Sequence, residues 1–477
     1  MSELRDAIPL PPTTLLTHSD SVSDADAEAE AGVRTLTALF GQFRIESRVT
    51  GHVRGPAAIT YSIGAGETGH IAQVISFARN IEYALPGARL ISDPAGRRMA
   101  IRVPSASRRP VLLGDLLDSP TAESSHPLAA VLGADSAGNS VAVNIPDLPH
   151  LLMAGTTGSG KSTCLHSILL SVLMRSTPEQ VRMLLIDTHG LELGRYRGVA
   201  HLITPVATKA DRAAQALAWA VREAQTRLDD LSAAGKRHIE DFNAGVRTGK
   251  LLAPPGTAGE FRPYPLLLIA IDDLADLLRS PQRHQIQDSL LQIGTRGRMA
   301  GIHLIAATRH PQAHAVPGRL SATMPARLSF LATERAGPAR NLRVGTAELT
   351  APGKAPIGIW CSNISEREID AVASHWQIES VAAPRPRSTP VDPALLNQAA
   401  NLIVASQFGS TSMLQRKLGV GFAQAGALMD RLEHEGIVGP SEGALARSVL
   451  VRPDDLQPIL DRLFAQGDAH AQQPERT

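Results

Sequence analysis

The sequence has little cysteine, almost no net charge and no long apolar run. Only two cysteines, Cys164 and Cys361, occur in 477 residues, and neither lies in a CxxC or Cys/His cluster. A disulfide scaffold or a zinc site is therefore not expected. The formal net charge is +1, so any polyanion would have to be held by local basic patches. Bulk charge thus says nothing about nucleic-acid binding.

The sequence also lacks the signals of membrane insertion. It contains no span of about 18 apolar residues, and its N-terminus has no charged region followed by an apolar run. We therefore expect no membrane span and a soluble, cytoplasmic protein. A chain of 477 residues exceeds what one hydrophobic core usually organises, so two or three domains are expected.

Composition and patterning divide the chain into six segments. Pro, Ser, Thr and acids at the start and the Pro-rich stretch "VAAPRPRSTPVDP" mark segments without a core. Between them, apolar strands alternate with helical stretches, which predicts an α/β domain around a mostly parallel sheet. The expected segments are a disordered leader (1–32), a small α/β domain (33–118), a larger α/β domain (119–380), a linker (381–393), a winged-helix domain (394–460) and a disordered tail (461–477).

The stretch "HLLMAGTTGSGKST" has the spacing of a nucleotide-binding P-loop, GxxxxGK[ST], between an apolar strand and a helix. Glycines let backbone amides close around phosphate oxygens, Lys161 reaches the terminal phosphates, and the Ser162 hydroxyl can bind Mg²⁺. ATP and Mg²⁺ are the expected cofactors. The residues expected to hold the nucleotide are Gly155, Thr156, Thr157, Gly158, Ser159, Gly160, Lys161, Ser162 and Thr163.

A P-loop enzyme also needs acids at the end of a neighbouring strand. "LLLIAIDDLADLL" places Asp272 and Asp273 directly after an apolar strand. We assign Asp272 to Mg²⁺ and Asp273 to the catalytic base, with a helix cap as the alternative for Asp273. Arg309, after the strand "GIHLIAAT", is a candidate sensor of the phosphates. Arg296 and Arg298 are candidate arginine fingers toward a neighbouring subunit, or exposed arginines without a role.

Together with the order of these motifs, "LLIDTHGLELGRYRGVAHLITPV" and "RGRMAGIHLIAATRHP" resemble the motor domain of FtsK/SpoIIIE-type DNA translocases. The resemblance extends upstream to the family's α domain and downstream to its winged-helix γ domain. It implies that residues 119–380 form a RecA-like P-loop motor domain, and that the chain works as a homohexameric ring that threads double-stranded DNA and hydrolyses ATP. The family's membrane-spanning segment has no counterpart here, which suggests recruitment by a protein partner.

Four positions depart from the family pattern. Asp273 stands where a glutamate is usual, His189 where a lysine is usual, and Arg309 where a glutamine is usual; the family's "DSRT" is "GPAR" at 337–340. A shorter carboxylate at 273 lies about one methylene farther from the water that a glutamate would orient. The resemblance therefore still implies nucleotide binding, but it does not fix the rate of ATP turnover.

In the γ-like domain the resemblance places Ala423, Gln424 and Ala427 where the family has base-reading side chains. Of these, only Gln424 can make a bidentate contact to a base edge. Arg416 and Lys417 are the nearby cations expected to contact DNA. Acids outnumber bases in this domain, so we expect weak DNA binding, a protein-docking role, or a plain helical cap.

Three functions stay open at this point. The leading one is a DNA-stimulated ATPase that moves chromosome or plasmid DNA. The second is a nucleotide-held scaffold whose motor no longer hydrolyses ATP. The third is a related conjugative DNA-transfer ATPase.

Overall fold

The computed structural model describes residues 9–19, 23–65, 74–92, 99–105, 110–119, 126–251, 261–309, 316–330, 345–377, 392–420, 422–439 and 447–460. The predicted tail, nearly all of the predicted linker and the "GPAR" stretch lie outside these residues. Among the described residues, no helix combines the length and apolar character needed to cross a bilayer.

The first domain packs helices on a small antiparallel sheet of order β1-β2-β4-β3. In β2 the residues Ile59, Tyr61 and Ile63 are buried because alternate side chains of a strand share one face. They meet Leu36 and Phe40 of the first helix. The elements are α1 (Ser23–Gln42), β1 (Ser47–Arg54), β2 (Ala58–Ala65), α2 (Ala78–Ala84), β3 (Arg89–Ser92) and β4 (Met99–Pro104).

The predicted disordered leader is wrong for its described residues. A short 3-10 helix, Thr13–Leu15, precedes Leu16, which is 4% exposed and belongs to the motor-domain core. The Thr17 amide donates to Glu368 Oε1 at 2.8 Å. The helix α1 then begins at Ser23, nine residues before the predicted end of the leader. Residues 9–19 are thus part of the packed structure.

The motor domain is built on a nine-stranded sheet of order β6-β5-β13-β12-β11-β7-β10-β9-β8. The run from β11 to β8 is parallel, which confirms the predicted core, whereas β6, β5, β13 and β12 pair antiparallel beside it. The strands are β5 (Ala129–Ala134), β6 (Ser140–Asn144), β7 (Leu151–Ala154), β8 (Val181–Asp187), β9 (Leu266–Asp272), β10 (Ile302–Thr308), β11 (Ala326–Phe330), β12 (Thr346–Thr350) and β13 (Ile357–Cys361).

Helices cover both faces of this sheet, as parallel strands joined by helical crossovers require. The helices are α3 (Leu113–Leu117), α4 (Lys161–Leu173), α5 (Ala210–Ala233), α6 (Ile239–Arg247), α7 (Leu274–Leu277), α8 (Arg283–Arg296), α9 (Gly318–Thr323) and α10 (Glu366–Trp376). Leu113 and Leu116 of α3 lie in the motor core, so this domain begins before the predicted boundary at residue 118.

The carboxyl ends of four parallel strands meet at one edge of the sheet. Ala154 of β7 pairs with Thr308 of β10, and Asp187 of β8 pairs with Asp272 of β9. In open α/β sheets, ligands bind outside this edge. The motifs identified in the sequence therefore converge on one place.

The described residues of the last domain include α11 (Pro393–Ser406), α12 (Thr411–Leu418) and α13 (Phe422–His434), and residues 456–460 are also helical. Single β-bridges, Gly409 to Arg447 and Val438 to Val449, follow the helices and form a short wing. Leu414, Leu428 and Ile403 lie in a core of its own. This is the predicted winged-helix arrangement.

Candidate functional site

The loop between β7 and α4 has the backbone geometry of a phosphate cradle. Gly158 and Gly160 have φ of +75° and +100°, a region that side chains disfavour. A Cβ on Gly160 would lie 2.8 Å from the Cα of Gly345, so the turn has no room for one. The Gly155 amide donates to the carbonyl of Thr308 at 3.2 Å and ties the loop to β10. Amides arranged in this way before a helix bind anions.

Buried polar groups line the cradle. Lys161 opens α4, is 6% exposed, and donates from Nζ to the carbonyl of Thr156 at 2.8 Å. Burial lowers the pKa of Lys161, while Asp272 and Asp273 oppose that shift. Within the described residues, Ser159 Oγ and Thr156 Oγ1 are buried without a hydrogen-bond partner. A triphosphate would supply acceptors for these groups, so the residues fit it.

The remaining loop residues predicted to hold nucleotide are on the same turn. Thr157 is exposed at its tip, and Ser162 and Thr163 lie half-buried in the first turn of α4. The loop therefore presents one continuous surface to a ligand.

Asp272 lies among other carboxylates at the end of β9. Burial, then the charges of Asp273, Asp187 and Glu192, raise the pKa of Asp272 from 3.8 to about 6. A divalent cation would favour the ionised form, so this position fits Mg²⁺ beside Ser162. No group of three or more His, Cys, Asp or Glu side chains able to hold a metal was found in the described part of the chain. Mg²⁺ at nucleotide sites usually needs only one or two side chains, together with phosphates and water.

The turn after β8 is fixed by Asp187, which is 1% exposed. Its two carboxylate oxygens accept the amides of His189, Gly190, Glu192 and Leu193 at 2.9–3.0 Å. Asp187 is therefore a structural residue that positions this turn.

The turn brings Glu192 to the site, a residue that the sequence reasoning missed. Its Oε2 lies 3.1 Å from His166 Nε2, and His166 Nδ1 lies 2.9 Å from the Tyr196 hydroxyl. Hydrogen bonds from His166 and from Ser162 lower the pKa of Glu192, which keeps it ionised. The one available signal was a carboxylate only a few residues after a strand-ending aspartate.

Asp273 is 1% exposed, and both of its oxygens are engaged. Oδ1 accepts the Ala275 amide at 2.9 Å as the cap of α7, and Oδ2 accepts both the amide and Nε of Arg309 at 3.0 Å. Arg309 also donates from Nη2 to Asp276 Oδ2 at 3.4 Å, and His189 Nε2 lies 2.7 Å from the same oxygen. The three described positions that depart from the family pattern are thus linked in one network.

Arg296 and Arg298 are far from the cradle of their own chain. Both are exposed and precede β10, whose other end lies at the site. Seven strand residues span about 20 Å at about 3.3 Å per residue. Arg298 donates from Nε to the carbonyl of Pro146 at 3.0 Å. Either arginine could reach a nucleotide only in a neighbouring subunit.

The predicted DNA contacts of the winged-helix domain divide into two kinds. Lys417, in α12, and Gln424, in the first turn of α13, are exposed. The Arg416 side chain is 19% exposed, and its Nη2 donates to Glu223 Oε2 of α5 at 2.7 Å. In this structure the motor domain therefore occupies the Arg416 guanidinium, and the DNA contact of Arg416 stays a prediction.

Three family models match the chain in order. The FtsK alpha domain matches residues 10–105, the FtsK/SpoIIIE family matches 112–316, and the FtsK gamma domain matches 391–452. These ranges follow the three domains of the structure.

Curated relatives match nearly the whole chain. A "DNA translocase FtsK" of Streptomyces avermitilis is 40% identical over 94% of this chain and 53% of its own length. One of Mycobacterium tuberculosis is 39% identical over 96% of this chain and 58% of its own length. The chain thus spans somewhat more than half the length of these relatives. A solved structure titled as the pCW3 conjugation coupling protein TcpA with ATPγS is 17% identical, covering 72% of this chain and 99% of its own, at a TM-score of 0.46.

Proposed function

Because this chain belongs to the FtsK/SpoIIIE family, we propose that it is an ATPase that moves double-stranded DNA and that it works as a homohexameric ring. The observation that carries the proposal is the convergence of the glycine cradle, buried Lys161 and the acids Asp272 and Glu192 at one edge of the sheet. Phosphoryl transfer relies mainly on positioning and charge stabilisation, which such an arrangement supplies.

The cradle residues have separate tasks in this proposal. The amides of the loop 155–160 and Lys161 hold and neutralise the phosphates. Ser162 and Asp272 hold Mg²⁺, which would neutralise charge that develops on the phosphate oxygens. Ser162 is among the groups that lower the pKa of Glu192, so we assign to Glu192 the task of orienting this hydroxyl.

Two carboxylates are candidates for orienting the attacking water. Asp273 follows the family position, but Arg309 and the α7 cap engage both of its oxygens. The Glu192 side chain is 43% exposed, and its Oε2 lies 3.1 Å from His166 Nε2. The geometry favours Glu192 for this role and Asp273 as a positioning residue for Arg309.

Arg309 would then add positive charge near the phosphates, and Arg296 or Arg298 would act on a neighbouring subunit's nucleotide. Both arginines are exposed, as a contact between subunits requires. This assignment depends on the ring, because neither arginine would have this role if the chain did not assemble into one.

The second candidate is a nucleotide-held scaffold without turnover. It is favoured by the engagement of Asp273, because the hydrogen bonds that both of its oxygens accept make the carboxylate a weaker base toward water. Glu192 is the residue that decides between the two candidates.

Turnover of ATP by the purified chain, with and without long duplex DNA, tests the proposal. We expect stimulation by DNA in the wild type and in the control Lys250→Ala, an exposed lysine away from the site. We expect Lys161→Ala to abolish turnover, and Glu192→Gln to lower it more than Asp273→Asn. Nucleotide binding without turnover in the wild type would support the scaffold instead.

A further inference from the structure

One face of the motor-domain helix α5 is covered by the winged-helix domain. Trp219, Glu223 and Arg227 are spaced four residues apart and therefore lie on one side of the helix. Tyr264, just before β9, lies beside them. We call these four residues the α5 face. Together they bury two charges and two aromatic rings in a small area.

The centre of the contact is an ion pair between two domains. Arg416 of α12 holds both oxygens of Glu223, and Arg227 Nε donates to Glu223 Oε1 at 2.9 Å. The Arg416 and Arg227 guanidinium carbons lie 4.9 and 5.0 Å from the centroid of the Tyr264 ring. Burial alone would raise the pKa of Glu223, but these guanidiniums lower that pKa to about 2. The carboxylate is therefore ionised and fully paired.

Apolar and backbone contacts extend the interface on both sides. Phe408 stacks on Trp219 with ring centroids 5.1 Å apart at 25°, and it packs with the motor core rather than with its own domain's core. Arg262 of the motor domain donates to the carbonyl of Gly419 at 3.2 Å. Well-packed aromatics around a paired arginine are typical of stable contacts between proteins.

The covered parts of the winged-helix domain are those that a helix-turn-helix uses on DNA. Arg416 lies in the last turn of the first helix of the motif, α12, and Gly419 lies in the turn before the second helix, α13. In such motifs the first helix crosses the phosphate backbone and the second enters the major groove. A carboxylate and a phosphate both accept a bidentate arginine, so Glu223 stands where a phosphate would.

We propose that the α5 face is a docking site for the chain's own winged-helix domain, and that this domain binds either the motor or DNA, but not both at once. Arg416 is then the residue that the two partners share. The docking does not depend on ATP hydrolysis; the competition with DNA rests on the proposed DNA substrate.

Two variants on the winged-helix side test this. Arg416→Ala removes the ion pair, and Phe408→Ala removes the stacking without touching charge. Lys417→Ala is the matched control, a neighbouring exposed cation on the same helix. Glu223 is left intact, because its loss would also strand the buried Arg227 inside the motor domain.

Hydrogen exchange of the full-length chain, without ATP, reports the docking. We expect hydrogen exchange in α5 and α12 to be faster in Arg416→Ala and Phe408→Ala than in the wild type. Lys417→Ala should exchange as the wild type does. Adding a mixed-sequence duplex to the wild type should also make exchange in these helices faster. Unchanged exchange in α5 for Arg416→Ala would overturn the docking, whatever the chain does with ATP.

Binding of the same duplex, followed by fluorescence anisotropy, tests the competition. If the docked form is about 90% populated, its release tightens binding by the winged-helix domain by about tenfold. We therefore expect Phe408→Ala to bind the duplex more tightly than the wild type does and Lys417→Ala to bind it more weakly. Arg416→Ala should show no loss of duplex affinity. Weaker binding by both Arg416→Ala and Phe408→Ala would overturn the competition.

Discussion

Replacing Arg309 by glutamine, the residue usual in the family, should destabilise the motor domain. Asp273 is 1% exposed, and the substitution removes the guanidinium from its Oδ2, leaving the backbone amide of residue 309 and the α7 cap. Removing one partner of a fully buried ion pair costs about 3–5 kcal/mol, whereas exposed pairs contribute about 0–1 kcal/mol. Because the Arg309 side chain is 38% exposed, we expect a loss of about 2 kcal/mol.

Thermal unfolding can measure this loss, since about 1 kcal/mol shifts the Tm of a domain of 150–250 residues by about 2–4 °C. We expect Arg309→Gln to lower the motor transition by about 4–8 °C. That transition is identified as the one that rises when nucleotide is added. Arg279→Gln is the control: Arg279 pairs with Asp276 at 3.5 Å from a side chain that is 62% exposed, so its loss should move the Tm by less than about 4 °C.

A double-mutant cycle separates the pair from other effects of the substitution. Asp273→Asn can still cap α7, since asparagine is a favoured N-cap residue. In the Asp273→Asn background, Arg309→Gln should cost about 1–2 kcal/mol less than in the wild type. Equal costs in both backgrounds, or an Arg309→Gln transition as high as that of Arg279→Gln, would refute the reasoning.

The structure carries two further predictions. Burial lowers the pKa of His201 to about 4 and that of His303 to about 3, so both stay neutral in the folded chain while the unfolded chain protonates them below about pH 6.5. The free energy of unfolding should therefore fall as the pH drops from 6.5 toward 4, by about 1.4 kcal/mol per pH unit for each histidine. Asp272, whose pKa is raised in the folded chain, partly opposes this loss. Thermal unfolding at pH 7 and pH 5 checks the prediction. Gly160→Ala should abolish nucleotide binding in an equilibrium titration because of the approach to Gly345, whereas Gly158→Ala, with no atom within 4 Å of its Cβ, should weaken it only through its positive φ.

The parallel half of the sheet could be predicted from the sequence because its signals are local. "VRMLLID" and "LLLIAID" are apolar runs of strand length, and β8 and β9 coincide with them. The strands β12 and β13 of the antiparallel half were not predicted, because they have five residues each and gain their stability from pairing across the sheet. The packing of Leu16 could not be foreseen either, since the Thr17 contact to Glu368 spans 351 positions.

The site shows the same division between local and distant contacts. The P-loop was predictable because its geometry is encoded in eight consecutive residues and their flanking elements. The bond from Arg309 to Asp273 joins residues 36 positions apart and depends on β10 lying beside β9. The pairing of Arg416 with Glu223 spans 193 positions and two domains, so no local pattern around Arg416 could indicate it.

The three described departures from the family pattern are more informative together than singly. A site that loses its function residue by residue would leave buried charges without partners, at a cost of several kcal/mol each. Here the buried carboxylate of Asp273 is paired with Arg309, and Asp276 joins Arg309 to His189. A shorter carboxylate at 273 and a longer side chain at 309 compensate each other in length, and the arginine pairs with the charge of Asp273. The network therefore supports a rearranged site in which the charged side chains still have partners. ATP turnover that depends on Glu192 is the property to measure first.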